Sequence, residues 1–140
     1  MPLEKSTGAV IFRKEKSKVY YLLLHYQSGH WDFPKGNIEK GEKLVETVKR
    51  ETKEETGLGD IKFIPGFKEA IKYFYKLKEK NIFKIVTFFL VRTKIKEVKI
   101  SWEHTGFQWL PYEEAMEQIT FKNAKEILKK ANDFISKKSI

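Results

Sequence analysis

Three glutamates, Glu51, Glu54 and Glu55, stand at i, i+3 and i+4 in the segment GNIEKGEKLVETVKRETKEETGL that runs from Gly36 to Leu58. On a helix, at about 100° per residue, they span roughly one third of the circumference, so three carboxylates project close together from one face. Like charges at these spacings repel by about a few tenths of a kcal/mol each. Glu54 and Glu55 also fall toward the negative end of the helix dipole, which disfavours anions. Two local rules are broken at one place, and such conflicts mark function. A divalent cation removes both penalties. Oxygen-only ligands in a chain without cysteine select a hard ion, Mg²⁺ or Mn²⁺. Bound there, such an ion lowers the pKa of water and polarises substrate oxygens. The bland alternative for an isolated ExxEE is a solvated acidic face.

The element that carries these glutamates reads as a helix over 43–56. Leu44, Val45, Val48 and Thr52 form a mostly apolar stripe at helical spacing, with Lys49 and Lys53 on the far side, and Gly57 suits the C′ position. Before it, 7–13 (TGAVIFR) and 19–26 (VYYLLLHY) read as strands joined by a charged turn over 14–18. The second run is apolar on both faces, as in a central strand, which makes His25 a core residue. After the helix, 61–75 and 82–93 read as longer strands and Phe107–Leu110 as a short one. The last thirty residues read as two helices, over Glu113–Gln118 and Asn123–Ser136, the second capped by Asn123 or Thr120. The interspersed elements predict an α+β class with a mixed sheet. The expectation is one domain over 1–140.

Composition bounds the function. The chain has 140 residues, no cysteine and a net charge of +9. Disulfides, thiolate zinc sites and cysteine nucleophiles are excluded. The basic balance suits polyanions. No apolar run approaches the ~20 residues of a membrane span, and MPLEKSTGAV lacks the layout of a signal peptide, so the expected setting is cytoplasmic, with no membrane partner.

The acidic helix is not an isolated motif. Gly36, Glu42, Arg50, Glu51, Glu54, Glu55 and Gly57, with Leu58 following, stand at the fixed spacing of the Nudix box, a coincidence expected on the order of 10⁻⁸ per start position. One departure is Thr52, where the pattern has an aliphatic residue. The chain thus resembles the Nudix hydrolases, which cleave a nucleoside diphosphate linked to another group. The resemblance implies an α/β/α sandwich around a mixed sheet. It implies Glu51, Glu54 and Glu55 as metal ligands, joined by the Gly36 carbonyl. It gives Arg50 the part of orienting a box carboxylate, and Glu42 a supporting part at the helix start. Gly36 and Gly41 let the loop fold back on the helix.

Outside the box, WDFPKGNIEKGE, GFKEAIKYF and WEHTGFQWLPYEEA resemble the asymmetric diadenosine tetraphosphate hydrolases, and this likeness runs from about Gly8 to Phe134. It implies a dinucleoside polyphosphate substrate, with ATP and AMP as products. By the same likeness His30, Lys35 and Lys84 face the phosphates, Glu103 reaches the metal site as a further ligand or base, and Tyr73 and Phe121 stack on adenine. Tyr75, two residues beyond Tyr73 on the same strand face, is a substitute for it. The lysines of the C-terminal helix read as a solvated face. The base that deprotonates water is Glu54, Glu55 or Glu103. Two other functions use the same residues: removal of pyrophosphate from RNA 5′ ends, and non-catalytic binding of a nucleotide or RNA. The expected assembly is a monomer or weak dimer.

Overall fold

The computed structural model describes residues 2–140. Two long hairpins form most of the sheet. Strand β1 (Leu3–Glu15) turns into β2 (Lys18–Tyr26) through Lys16 and Ser17, both with positive φ (51° and 69°). Strands β5 (Lys62–Leu77) and β6 (Lys80–Arg92) are joined in the same way by Lys78 and Glu79 (φ 49° and 66°). Two consecutive left-handed residues match the right-handed twist of the flanking strands, which is why two-residue connections take this form. The turn expected over 14–18 is therefore tighter than its charge pattern indicates.

Short strands β3 (Trp31–Asp32), β4 (Lys35–Asn37) and β7 (His104–Leu110) complete a seven-stranded sheet in the order β3-β2-β1-β6-β5, with β4 beside β1 and β7 beside β2. Strand β1 is parallel to β6, and the other pairings are antiparallel, so the sheet is mixed. Strand β7 starts at His104 rather than at Phe107, because pairing of His104 with Tyr26 extends it across the Gly106 position.

Alternation along β1 and β2 divides the core. Val10, Phe12, Tyr21 and Leu23 face helices α2 (Tyr112–Gln118) and α3 (Lys122–Lys138), packing on Ala115, Ile127 and Leu128. Ala9, Ile11, Leu22 and Leu24 face α1 (Leu44–Thr56), packing on Val48. The result is an α/β/α sandwich, as expected.

Three expectations are corrected. The buried stripe of α1 is Thr47, Val48, Thr52, Glu55 and Thr56, while Leu44 is half-buried and Val45 exposed. Two of the threonines tolerate burial because their hydroxyls bond locally: Thr47 Oγ1 donates to Glu42, and Thr56 Oγ1 to the Thr52 carbonyl. His25 is not a core residue. It is half-buried at the end of β2, stacked on Trp31 with ring centroids 4.4 Å apart. Neither Asn123 nor Thr120 caps α3: its N-cap is Phe121, with no side-chain cap, and Thr120 Oγ1 instead accepts from the Trp31 backbone N–H. No helix among the described residues is long and apolar enough to cross a membrane.

Candidate active site

The site is assembled where β4 passes the middle of α1, at Arg50 and Glu51. Pairing of Gly36 with Thr7 lays the β4 backbone directly over the helix. A Cβ at Gly36 would displace the Glu51 carboxyl from its present position, so glycine here lets that side chain lie against the β4 backbone. Gly41, with φ 82°, does supply a left-handed turn in the loop leading to the helix. Gly57 ends α1 in the left-handed conformation (φ 77°), its N–H donating to the Lys53 carbonyl.

Arg50 organises the acidic side chains. Its Nε and Nη2 donate to the two Glu42 oxygens at 2.7 and 3.0 Å. Nη1 donates to Glu51 at 2.6 Å and to Glu54 at 3.3 Å, and Nη2 reaches the Asn37 carbonyl at 3.1 Å. Glu42 also accepts from the Glu39 N–H and from Thr47 Oγ1. The Arg50 guanidinium, backed by these donors, holds the Glu42 pKa down to about 2.

The three box glutamates thus meet different surroundings. The Glu51 side chain is 17% exposed and that of Glu54 59%. Glu55 points inward instead of sharing their surface, and only 3% of its side chain is exposed. Tyr26 OH donates to the Phe33 carbonyl at 2.7 Å and touches Glu55 Oε1 at 3.5 Å. His104 Nε2 lies 3.2 Å from the same oxygen, without the alignment of a hydrogen bond, and the buried Glu55 Oε2 has no partner among the described residues. Burial pushes the Glu55 pKa well above the ordinary carboxylate range, and the nearby Glu51 and Glu103 carboxylates push it further. Burial also holds His104 below the usual histidine value. Its Nδ1 sits 3.0 Å from Ser101 Oγ.

As the side chains lie, no three acidic or histidine groups among the described residues converge tightly enough to hold an ion, because Arg50 fills the space between Glu51 and Glu54. The donor set nevertheless fits a hard dication. Glu55 presents an orphaned buried oxygen, the Glu51 carboxyl lies close against Gly36, and the carboxylates supply oxygen ligands.

A cavity of about 270 Å³ opens nearby, lined by Asp32, Lys35, Ile71, Tyr73, Phe121 and Asn123. Lys35 Nζ pairs with buried Asp32 at 3.1 Å at its inner end. His30 stacks on Tyr26 at 4.5 Å and stands 5.2 Å from Phe121, so it bridges the cavity and the acidic residues. Burial lowers its pKa. Lys84 is placed directly across from Tyr73 in the β5–β6 register, but its ammonium is 2.9 Å from Glu4. Tyr75 is occupied in the same way, its OH donating to Glu4 at 2.7 Å, and it does not line the cavity. The hydrogen bond from Tyr75 and then Lys84 lower the Glu4 pKa.

Sequence reasoning gave no role to His104 or Tyr26, which close over Glu55, or to Asp32, which holds Lys35. Only the Glu103-His104 adjacency hinted at the first.

A family model described as NUDIX domain matches residues 2–131. A mouse asymmetrical bis(5′-nucleosyl)-tetraphosphatase is 33% identical over 141 residues, covering 94% of this chain and 95% of that protein. A crystal structure of a C. elegans Ap4A hydrolase binary complex superposes with a TM-score of 0.84 at 30% identity, covering 95% of this chain and 98% of that one. An RNA pyrophosphohydrolase of Nitratiruptor is 32% identical over 117 residues, covering 76% of this chain and 74% of that protein.

Proposed function

The chain belongs to the NUDIX domain family, and from that premise we propose that it hydrolyses diadenosine tetraphosphate asymmetrically, to ATP and AMP. One observation carries this reading: an aromatic-walled cavity with Lys35 in its lining is linked by His30, stacked on Tyr26, to the buried box glutamate Glu55. A nucleotide needs those three things in that order, namely a flat slot for the base, cations for the phosphates and a place for the reaction. The likeness to asymmetrical bis(5′-nucleosyl)-tetraphosphatases from mouse and pig over 94% of the chain supports the choice of substrate.

Members of this family generally use divalent metal ions. Here Glu51, Glu54 and Glu55, the Gly36 carbonyl and Glu103 would hold Mg²⁺ or Mn²⁺, which supplies charge neutralisation at the phosphates and a more acidic bound water. The chain's own groups do the rest. Tyr73 and Phe121 clamp one adenine, for about 1–3 kcal/mol of stacking. Lys35 and His30 meet the phosphates leaving that slot, and Lys84 supports them once it exchanges Glu4 for phosphate. Arg50 keeps Glu51 and Glu54 oriented while its grip on Glu42 fixes the loop. Glu54, Glu55 or Glu103 takes the proton from water.

The test is product analysis with the purified protein and Mg²⁺ or Mn²⁺ in ¹⁸O-labelled water. Equal amounts of ATP and AMP are expected, whereas two ADP, or no cleavage, would defeat the reading. The RNA pyrophosphohydrolase relative favours a second substrate, the 5′-triphosphate of RNA. Rates on triphosphorylated RNA and on diadenosine tetraphosphate at matched salt separate the two, since RNA binding weakens steeply as salt rises.

A further inference from the structure

Trp102 is 83% exposed, the most exposed of the large apolar side chains described. Its backbone is held firmly. Gln27 Nε2 donates to the Trp102 carbonyl at 2.8 Å, the Gln27 N–H to the Glu103 carbonyl at 3.0 Å, and the His104 N–H to the Ser101 carbonyl at 3.1 Å. The indole makes no ring contact among the described residues. A rigid turn therefore presents a bare aromatic face to water, two residues before His104, whose Nε2 lies 3.2 Å from Glu55 Oε1.

The position of this turn is fixed by a line of rings. From Phe121 at the cavity mouth, steps of 5.2, 4.5 and 4.5 Å lead through His30 and Tyr26 to His104. Phe121 marks one end of this line and the turn bearing Trp102 the other, with Glu55 beside the Tyr26 and His104 steps. A dinucleoside tetraphosphate has the same layout, a base at each end of a phosphate bridge. The cavity takes one base. A second base lying along the ring line would reach the turn at its far end.

We propose that Trp102 is the stacking platform for this second nucleobase. The inference rests on the dinucleoside tetraphosphate reading above. A neutral aromatic face with no polar groups converging on it grips any base by stacking and distinguishes little between them. The distal nucleoside should accordingly be held without strong preference for its identity.

The experiment compares diadenosine tetraphosphate with adenosine 5′-tetraphosphate, which keeps the phosphates and lacks the second base. For W102A, the ratio of KM for the dinucleotide to KM for the mononucleotide should rise about tenfold over wild type, and W102F should restore most of the preference. In parallel, a methylene-bridged diadenosine analogue should quench tryptophan fluorescence of the wild type more than that of W102F. Equal changes in KM for both compounds, or no change for either, would overturn the platform while leaving the hydrolase reading intact. Failure of the wild type to cleave either compound would overturn both.

Discussion

Arg50 grips both oxygens of Glu42, at 2.7 and 3.0 Å across eight residues of chain, and with the third nitrogen of the same guanidinium reaches Glu51 at 2.6 Å. One planar cation thereby ties the loop before the helix to the carboxylates on it. Lysine keeps the charge but cannot form that fork. Arg50→Lys is expected to lower kcat/KM by about 10–100-fold, as losses of groups that orient metal ligands do. Steady-state kinetics with metal affinity measured alongside would check this.

The same pair sets an acid limit. The Glu42 pKa is held at about 2 against an ordinary 4.5. A carboxylate depressed in the folded state adds stability above its unfolded pKa and loses it as pH falls through the folded one. Denaturant midpoints for wild type and Glu42→Gln should therefore differ at pH 6 and converge as pH falls from about 4.5 toward 2. A difference independent of pH would contradict the linkage.

Glu54 and Glu55 should separate stability from activity. Glu54 is largely exposed, so Glu54→Gln should fold with little change in Tm yet lose at least ~100-fold in kcat. Glu55 is buried with an orphaned oxygen. Its raised pKa means that the ionised form opposes folding above the unfolded value. Glu55→Gln should raise Tm at pH 7 without divalent ions and lose the rise that saturating Mg²⁺ or Mn²⁺ gives the wild type. Thermal melts of both proteins with and without the ions decide it.

The base slot should respond in binding. Tyr73→Ala and Phe121→Ala each remove one wall of the cavity. Each should raise KM for diadenosine tetraphosphate about 5–100-fold, following a stacking contribution of about 1–3 kcal/mol, with a smaller effect on kcat. Tyr75→Phe, which breaks only the bond to Glu4, should leave KM nearly unmoved.

The hairpin between β1 and β2 offers a test unrelated to chemistry. Lys16 and Ser17 both hold positive φ without being glycine or asparagine. Replacing them by Asn-Gly should raise unfolding free energy by about 1 kcal/mol, measured by urea denaturation.

The acidic helix, its Gly57 terminus and the long strands were legible because each depends on local rules: period, β-branching and a left-handed C-terminus. The site's cross-chain contacts were not. Glu51, Glu54 and Glu55 share a helix face by spacing alone, yet Tyr26 and His104 from two other strands enclose Glu55 and leave Glu54 in water. Strand β4, only three residues long, is too short for any periodic signal, although it places Gly36 against Glu51. The misread apolar stripe has a similar cause. Threonine is polar by composition, and a locally bonded hydroxyl, such as that of Thr47 on Glu42, lets it sit in the core.

The slot and the acidic helix lie on different layers of the sandwich. Phe121 and Asn123 come from the segment opening α3, while Glu51, Glu54 and Glu55 belong to α1 across the sheet. Drift in one layer can proceed without disturbing the other. A lineage could exchange one preferred leaving nucleoside for another by remodelling the final helix, and inherit the machinery for breaking the anhydride unaltered.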